Sequence, residues 1–263
     1  MFKRFFLNYI LCFFLAAKTV YAGTGITSSG NIKKDNSLNL PLVFLLLIFS
    51  IFYLSVTVEA TDVSGIIRSD TTWTQADSPY LVTGSVLVNS GITLTIESGV
   101  TIKFNSGNNL QINGRLIAQG TSRSRITFTS AQSSPSPGDW GYIYFTDTSA
   151  DATYDGSGNY TGGSILEFCD IEFGGSSNGN VYILMSAPFI NYCHIKHSSL
   201  HGIYVSEGAP KISNSNIIRN GKSGVYISPG GSDVSIKDST IDDNDQGEGL
   251  WEYRGFNDFH EMG

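Results

Sequence analysis

Charged residues are scarce in this chain of 263 residues, of which Asp, Glu, Lys and Arg make up only 15%. The formal net charge is −7, and 11 basic residues stand against 21 acidic residues after residue 60. A protein that binds nucleic acid neutralises phosphates with Lys and Arg. The charge therefore argues against a nucleic-acid partner, and the basic surplus of the first 60 residues is typical of targeting segments.

Proline is also scarce, with 7 residues, whereas Gly numbers 29 and Ser, Thr and Asn are frequent. Gly, Asn and Ser favour tight turns. Between these turns stand short β-branched segments, which are too short and too rich in turn residues to form helices. The composition therefore predicts one long β-rich domain, of a kind that suits an exported protein.

A repeat organises the second half of the chain. Residues 188–208 align with residues 210–230 at a shift of 22, and residues 234–245 continue the register after a two-residue slip. The aligned pairs include Ile190 with Ile212, Ile195 with Ile217, Gly202 with Gly224, and Tyr204 with Tyr226, and the third copy adds Ile236 and Ile241. Self-similarity at this period predicts a stacked coil in which each copy is one rung.

The segment NGKSGVYI, residues 220–227, closes one of these rungs. Here the chain resembles right-handed parallel β-helix repeat proteins, a class that includes many surface proteins that bind or cleave polysaccharides. The resemblance implies an all-β, right-handed parallel β-helix of about eight coils over residues 61–249. One or two hydrophobic helices would precede it, and residues 250–263 would form an irregular tail or a truncated rung.

Two Lys-flanked apolar runs precede the coils. Residues 1–22 read as a signal peptide, and residues 23–60 contain a linker and a second apolar run at 42–58. The second run is either the working export signal or a membrane anchor, because the Lys residues before it favour the inner side. Either interpretation places residues 61–263 outside the cytoplasm.

The first coils are less regular than the later ones. Residues 91–100 and 107–116 align at a shift of about 16, which matches Leu94 with Leu110. We assign residues 61–80 to an N-terminal cap and Trp73 to its apolar cover. Two polar loops at 130–139 and 146–163 interrupt the coil, and Asp155 in the second loop is interpreted as part of a solvated turn rather than a calcium site.

The resemblance includes polysaccharide lyases and hydrolases, which need acidic side chains on neighbouring rungs. Asp170 aligns with His194, Asn216 and Thr240, so no acidic ladder forms. His194, His197 and His201 fall at different turn positions and are not expected to share a metal. We therefore predict no catalytic residue, no metal site and no cofactor, and the enzyme remains an alternative.

Cys169 and Cys193 fall at equivalent positions of adjacent rungs. Neighbouring strands are about 4.8 Å apart, within Cα reach of a disulfide. Side chains on adjacent parallel strands point the same way, however, which makes the bond awkward. Two stacked thiols are the favoured interpretation.

One residue of each later rung, from Tyr144 onwards, is aromatic and is predicted to point outwards. Alternation along a strand buries the aliphatic residues on either side of it. The set consists of Tyr144, Tyr182, Tyr204, Tyr226 and Trp251. Sugar rings stack on aromatic faces, so this row predicts a non-catalytic module that binds an extended polysaccharide or acts in adhesion. The alternatives are a row that only stabilises the sheet and a protein that is a purely structural stalk. Separately, the last rung has an open edge, through which the protein could self-associate.

Overall fold

The computed structural model describes residues 59–228, 233–245 and 250–252, which form 23 strands and one short 3-10 helix at Gln75–Asp77. All strands except one hairpin pair in parallel and build three faces. Face 1 contains β1 (Thr61–Ile67), β3 (Tyr80–Val88), β5 (Thr101–Phe104), β8 (Ile126–Ser130), β13 (Cys169–Glu172), β16 (His194–Lys196), β19 (Asn216–Ile218) and β22 (Thr240–Asp242).

Faces 2 and 3 complete each turn. Face 2 contains the second halves of β1 and β3, then β6 (Leu110–Ile112), β9 (Ile143–Phe145), β14 (Gly179–Leu184), β17 (His201–Ser206), β20 (Val225–Ile227) and β23 (Leu250–Glu252). Face 3 contains β2 (Thr71–Trp73), β4 (Thr93–Ile96), β7 (Arg115–Gln119), β12 (Ile165–Glu167), β15 (Phe189–Asn191), β18 (Lys211–Ser213) and β21 (Ser235–Lys237). The exception is the antiparallel hairpin of β10 (Thr153–Tyr154) and β11 (Tyr160–Gly162).

The described chain thus completes seven turns and adds two strands of an eighth, which confirms the predicted all-β parallel β-helix. The repeat register is confirmed as well. Ile190 pairs with Ile212, Ile195 with Ile217, and Tyr204 with Tyr226.

The inside of the coil is a continuous apolar core. Strands alternate between buried and partly exposed residues, so each contributes its inward positions to this core. Ile190, Ile212 and Ile217 are fully buried, and so is Trp140, whose ring stacks on Phe104 at a centroid distance of 4.1 Å. The buried apolar column holds the three faces together.

Corners between faces are tight. A single residue in the left-handed conformation separates face 3 from face 1 at Phe168, Tyr192, Asn214 and Asp238, with φ between 47° and 51°. Such a conformation is unfavourable for an aromatic residue. The rings of Phe168 and Tyr192 stack on each other outside the coil at 4.7 Å, which supports this corner.

A buried Asn supports the corner between faces 1 and 2. The side chain of Asn220 accepts a hydrogen bond from the Ser198 amide at 3.1 Å and donates one to the Ile195 carbonyl at 3.3 Å. Asn244 lies one turn further on and accepts a hydrogen bond from the Asn220 amide at 3.0 Å. These amides satisfy backbone groups that the bend removes from the strand ladders.

The two cysteines lie in the core as free thiols, as predicted. Burial raises the pKa of the Cys169 thiol well above its usual range. The amide of Cys193 donates to the hydroxyl of Ser215, the equivalent residue of the next turn. The pair therefore acts as small apolar filling of the column.

Two predictions for the first coils were wrong. Leu94 pairs with Leu116 rather than Leu110, so the shift is 22 and not 16. Residues 61–80 are not a separate cap, because β1 and β2 pair with β3 and β4 as a first turn of the coil. Trp73 is nevertheless buried in the core, as predicted.

The ends of the chain extend beyond the described residues. Both apolar runs, at 5–17 and 42–58, lie outside them, as does the tail after Glu252. Leu250–Glu252 forms strand β23, so the predicted irregular tail begins with a strand. In the part of the chain that the structure describes, no helix is long and apolar enough to cross a membrane.

Candidate functional site

The predicted aromatic residues form one straight row on the outside of face 2. Tyr144 pairs with Tyr182, Tyr182 with Tyr204, Tyr204 with Tyr226, and Tyr226 with Trp251, each on the next strand. The four Tyr side chains are half-buried, while the apolar residues on both sides of them point into the core. We call Tyr144, Tyr182, Tyr204 and Tyr226 the tyrosine row. For Trp251 the structure describes the backbone only, so its side chain lies outside the described part.

Towards the N-terminus, non-aromatic residues replace the tyrosines at this position of the strand. Gln111 precedes Tyr144 in register, Leu87 precedes Gln111, and Ile66 precedes Leu87. The aromatic part therefore begins at the fourth turn and continues over the following ones. This places the candidate surface on the more regular half of the coil.

The rings contact one another in two groups. Tyr144 and Tyr182 are stacked at 4.6 Å with an interplanar angle of 5°, and Tyr204 and Tyr226 are stacked at 5.0 Å with an angle of 26°. Between the groups, Tyr182 and Tyr204 meet edge to face at 5.4 Å and 79°. Rings that are stacked along the coil axis present their edges outwards. Stacking also stabilises the sheet itself.

Two further rings, which the sequence analysis did not include, contact the row. Tyr142 contacts both Tyr144 and Tyr182 edge to face, at 5.9 Å each. Alternation could have identified it, because it stands two residues before Tyr144. His201 lies against Tyr226 at 4.6 Å and against Tyr204 at 5.9 Å.

His201 could not be found by alternation. Counted back from the buried Ile203, position 201 would point into the coil. The chain has just turned the corner and passes through Gly202, so the imidazole lies outside with the tyrosines instead. The row and these two rings form one aromatic patch.

The patch is uncharged near neutral pH. Burial raises the pKa values of Tyr144 and Tyr182, which keeps their phenols protonated. Burial, together with nearby Lys222, lowers the pKa of His201 to about 4, so the imidazole is neutral. Its Nδ1 atom is buried and has no hydrogen-bond partner among the described residues.

This pKa makes stability depend on pH. The unfolded chain protonates His201 near the ordinary pKa of 6.5, whereas the folded chain resists protonation down to about 4. Folding therefore loses stability as the pH falls through this window. We expect the thermal midpoint of the wild type to fall more than that of His201→Phe between about pH 7 and pH 5. Equal losses in the two proteins, measured in parallel melts, would contradict this assignment.

Face 1 carries charged side chains instead of rings. The carboxylate of Asp170 accepts a hydrogen bond from Arg125 at 2.8 Å, and one of its oxygens lies 2.8 Å from Nδ1 of His194. Glu172 forms an ion pair with Lys196 at 3.3 Å. Sequence analysis considered Asp170 only along its column and missed Glu172, which points outwards two residues later on the same strand. The two carboxylates are occupied by cations.

The three histidines lie apart. His194 is bound to Asp170, His197 stacks on Phe173 at 5.2 Å, and His201 belongs to the aromatic patch. Within residues 59–228, 233–245 and 250–252, no group of three or more His, Cys, Asp and Glu side chains is placed to hold a metal ion.

The second loop contains the hairpin of β10 and β11, which was not predicted. At its turn, the Asp155 carboxylate accepts hydrogen bonds from the amides of Ser157 and Asn159 and from the Asn159 side chain. These bonds lower the pKa of Asp155. The acidic side chain thus stabilises the turn through hydrogen bonds, in agreement with the interpretation of this segment as a solvated turn.

Comparison with protein families agrees with this geometry. A model described as a pectate-lyase-like β-helix domain matches residues 65–197, and one described as a right-handed β-helix region matches residues 142–261. The chain belongs to the pectate-lyase-like β-helix family. No curated protein and no solved structure matches it significantly. Membership of this β-helix family confirms the right-handed coil. It is also consistent with a polysaccharide-associated protein. Because binding proteins and enzymes share this fold, the function has to be argued from the site itself.

Proposed function

We propose that this protein is an exported surface module that binds an extended polysaccharide along the tyrosine row and does not cleave it. The observation that carries the proposal is the unbroken register of Tyr144, Tyr182, Tyr204 and Tyr226 on one face. Residues 42–58 would either be removed on export or hold the module at a membrane.

The chemistry of the row suits a sugar chain. Ring faces and edges offer apolar contact to the C–H groups of a sugar, and phenol hydroxyls both donate and accept hydrogen bonds. Successive strands repeat this contact at about 4.8 Å along the coil axis. Many weak contacts in a line favour a long ligand over a small one, because each further contact is made without new loss of translational freedom.

The other exposed groups favour binding over cleavage. Glycoside hydrolysis uses two carboxyl groups, one of which must hold a proton for the leaving group. The most conspicuous carboxylates on a face, Asp170 and Glu172, are bound by Arg125, His194 and Lys196. Both carboxylates are therefore engaged in charged pairs in this structure.

The test is the triple variant Tyr182→Ser, Tyr204→Ser, Tyr226→Ser on a glycan array. We expect affinity to fall by tenfold or more. This follows if each ring contributes about 0.5–1.5 kcal/mol, as an aromatic pair does, since about 1.4 kcal/mol corresponds to a factor of ten. Circular dichroism and thermal melts establish that the variant is folded.

The matched control is Tyr192→Ser. Tyr192 is 43% exposed and stacked on a neighbouring ring, but it lies at the corner between faces 3 and 1. This variant should bind as the wild type does. Undiminished binding by a folded triple variant would remove the tyrosine row from the function, and cleavage of a polysaccharide by the wild type would make the protein an enzyme.

A further inference from the structure

We infer that the tyrosine row takes an uncharged polysaccharide rather than an acidic one. The inference rests on the proposed function and specifies the class of its ligand. It runs against the expectation raised by the family description, since pectate is a polyanion. Three sets of observations lead to it: the charge at the row, the state of the cations elsewhere, and the net charge of the domain.

The row itself carries no charge. Burial raises the pKa values of Tyr144 and Tyr182 and keeps their phenols neutral, and the neighbouring His201 is neutral above its lowered pKa of about 4. Two charged groups act on described rings of the patch, Asp147 on Tyr144 and Lys222 on His201. An acidic sugar would be attracted by Lys222 near one end of the row and repelled by the Asp147 carboxylate near the other.

Cations on the other faces are held by partners. Arg125 is paired with Asp170, Lys196 with Glu172, and Arg219 with Asp243 at 3.0 Å.

Lys211, on face 3, has its ammonium 4.2 Å from the centre of the Tyr154 ring. Lys103 lies on face 1, away from the row. These five cations therefore do not form a second row that could follow an acidic chain.

The domain as a whole would repel a polyanion. After residue 60 the chain has 11 basic and 21 acidic residues, so the electrostatic potential around this domain is negative. A bridging metal could offset this, but the described residues contain no group of three acidic, His or Cys side chains placed to hold one. A neutral sugar chain needs neither cations nor a metal, because hydroxyls and ring contacts bind it.

Matched polymers test the inference directly. We propose affinity electrophoresis of the full-length protein in gels that contain hydroxyethyl cellulose or carboxymethyl cellulose, and methyl-esterified polygalacturonan or polygalacturonate. Each pair shares a backbone and differs in charge. At least one neutral polymer should retard the wild type more than its acidic counterpart does. Retardation should change little with added salt, since screening acts on charges.

The single variant Tyr182→Ser and the control Tyr192→Ser complete the experiment. Retardation by the neutral polymer should decrease in the first and persist in the second, which links the selectivity to the row. Stronger, salt-sensitive retardation by an acidic polymer that Tyr182→Ser weakens would overturn the inference and leave the proposed function standing. Retardation by no polymer, or retardation that Tyr182→Ser leaves intact, would overturn both.

Discussion

Ile217→Asp should lower the free energy of unfolding by about 4 kcal/mol, because it places a carboxylate without a partner in the apolar column. Ile217 is fully buried, and it pairs with Ile195 on one side and Ile241 on the other. Urea unfolding followed by circular dichroism measures the loss. Ile212→Asp, at the equivalent position on face 3, should behave alike.

The control is the same substitution one residue later. Ile218 lies on the same strand, points outwards, and has Lys196 as its neighbour in register. Ile218→Asp should cost little, because its carboxylate remains in water, with Lys196 on one side and Asp242 on the other. A similar loss in the two variants would mean that the inward and outward assignments of this strand are wrong.

Gly202→Ala should destabilise the coil by about 1–3 kcal/mol through overpacking. A methyl group at this position would stand 2.6 Å from the backbone oxygen of Gly224 and 2.5 Å from a methyl group of Ile217. The backbone oxygen cannot move without changing the spacing between two turns. Thermal melts should therefore show a clear decrease in the midpoint.

Gly156→Ala is the matched control for this experiment. Gly156 lies in the hairpin turn, where an added methyl group would have no atom within 4 Å. Its melting temperature should stay close to that of the wild type. If Gly202→Ala proved equally harmless, the close approach of the two turns would not be required by the fold.

The sequence predicted the later turns well because their connections have almost the same length. Ile190, Ile212 and Ile236 follow one another at shifts of 22 and 24 residues, so the repeat is visible without a structure. Alternation then assigns the inner and outer residues of each strand. Together these two patterns were sufficient for the parallel register and for the column of buried Ile.

The first turns failed for a related physical reason. Short alternating strands resemble one another at several shifts, and Leu94 is chemically as suitable beside Leu110 as beside Leu116. Only the length of the connections decides, and those lengths vary in this part of the chain. Most of the strand Thr61–Ile67 could not be recognised, because polar and Gly residues interrupt its apolar pattern.

The tyrosine row could be predicted, but its ring geometry could not. Alternation gives the outward position of Tyr182 and Tyr204, whereas the edge-to-face contact between them depends on side-chain rotation within the stack. The presence of His201 in the patch depends on the path of the backbone through the corner. Neither follows from residue type and spacing.

Each turn of the coil contacts the turn before it and the turn after it, so the coil is a linear repeat of similar units. Its tyrosine row gains one ring with each turn from β9 onwards. Under the proposed function, the length of polysaccharide that the row would bind is therefore counted in turns. Duplicating or deleting one repeat of 22–24 residues would lengthen or shorten the aromatic patch by one ring and leave the rest of the surface in place. The length of the aromatic patch would thus change in steps equal to the spacing between neighbouring strands.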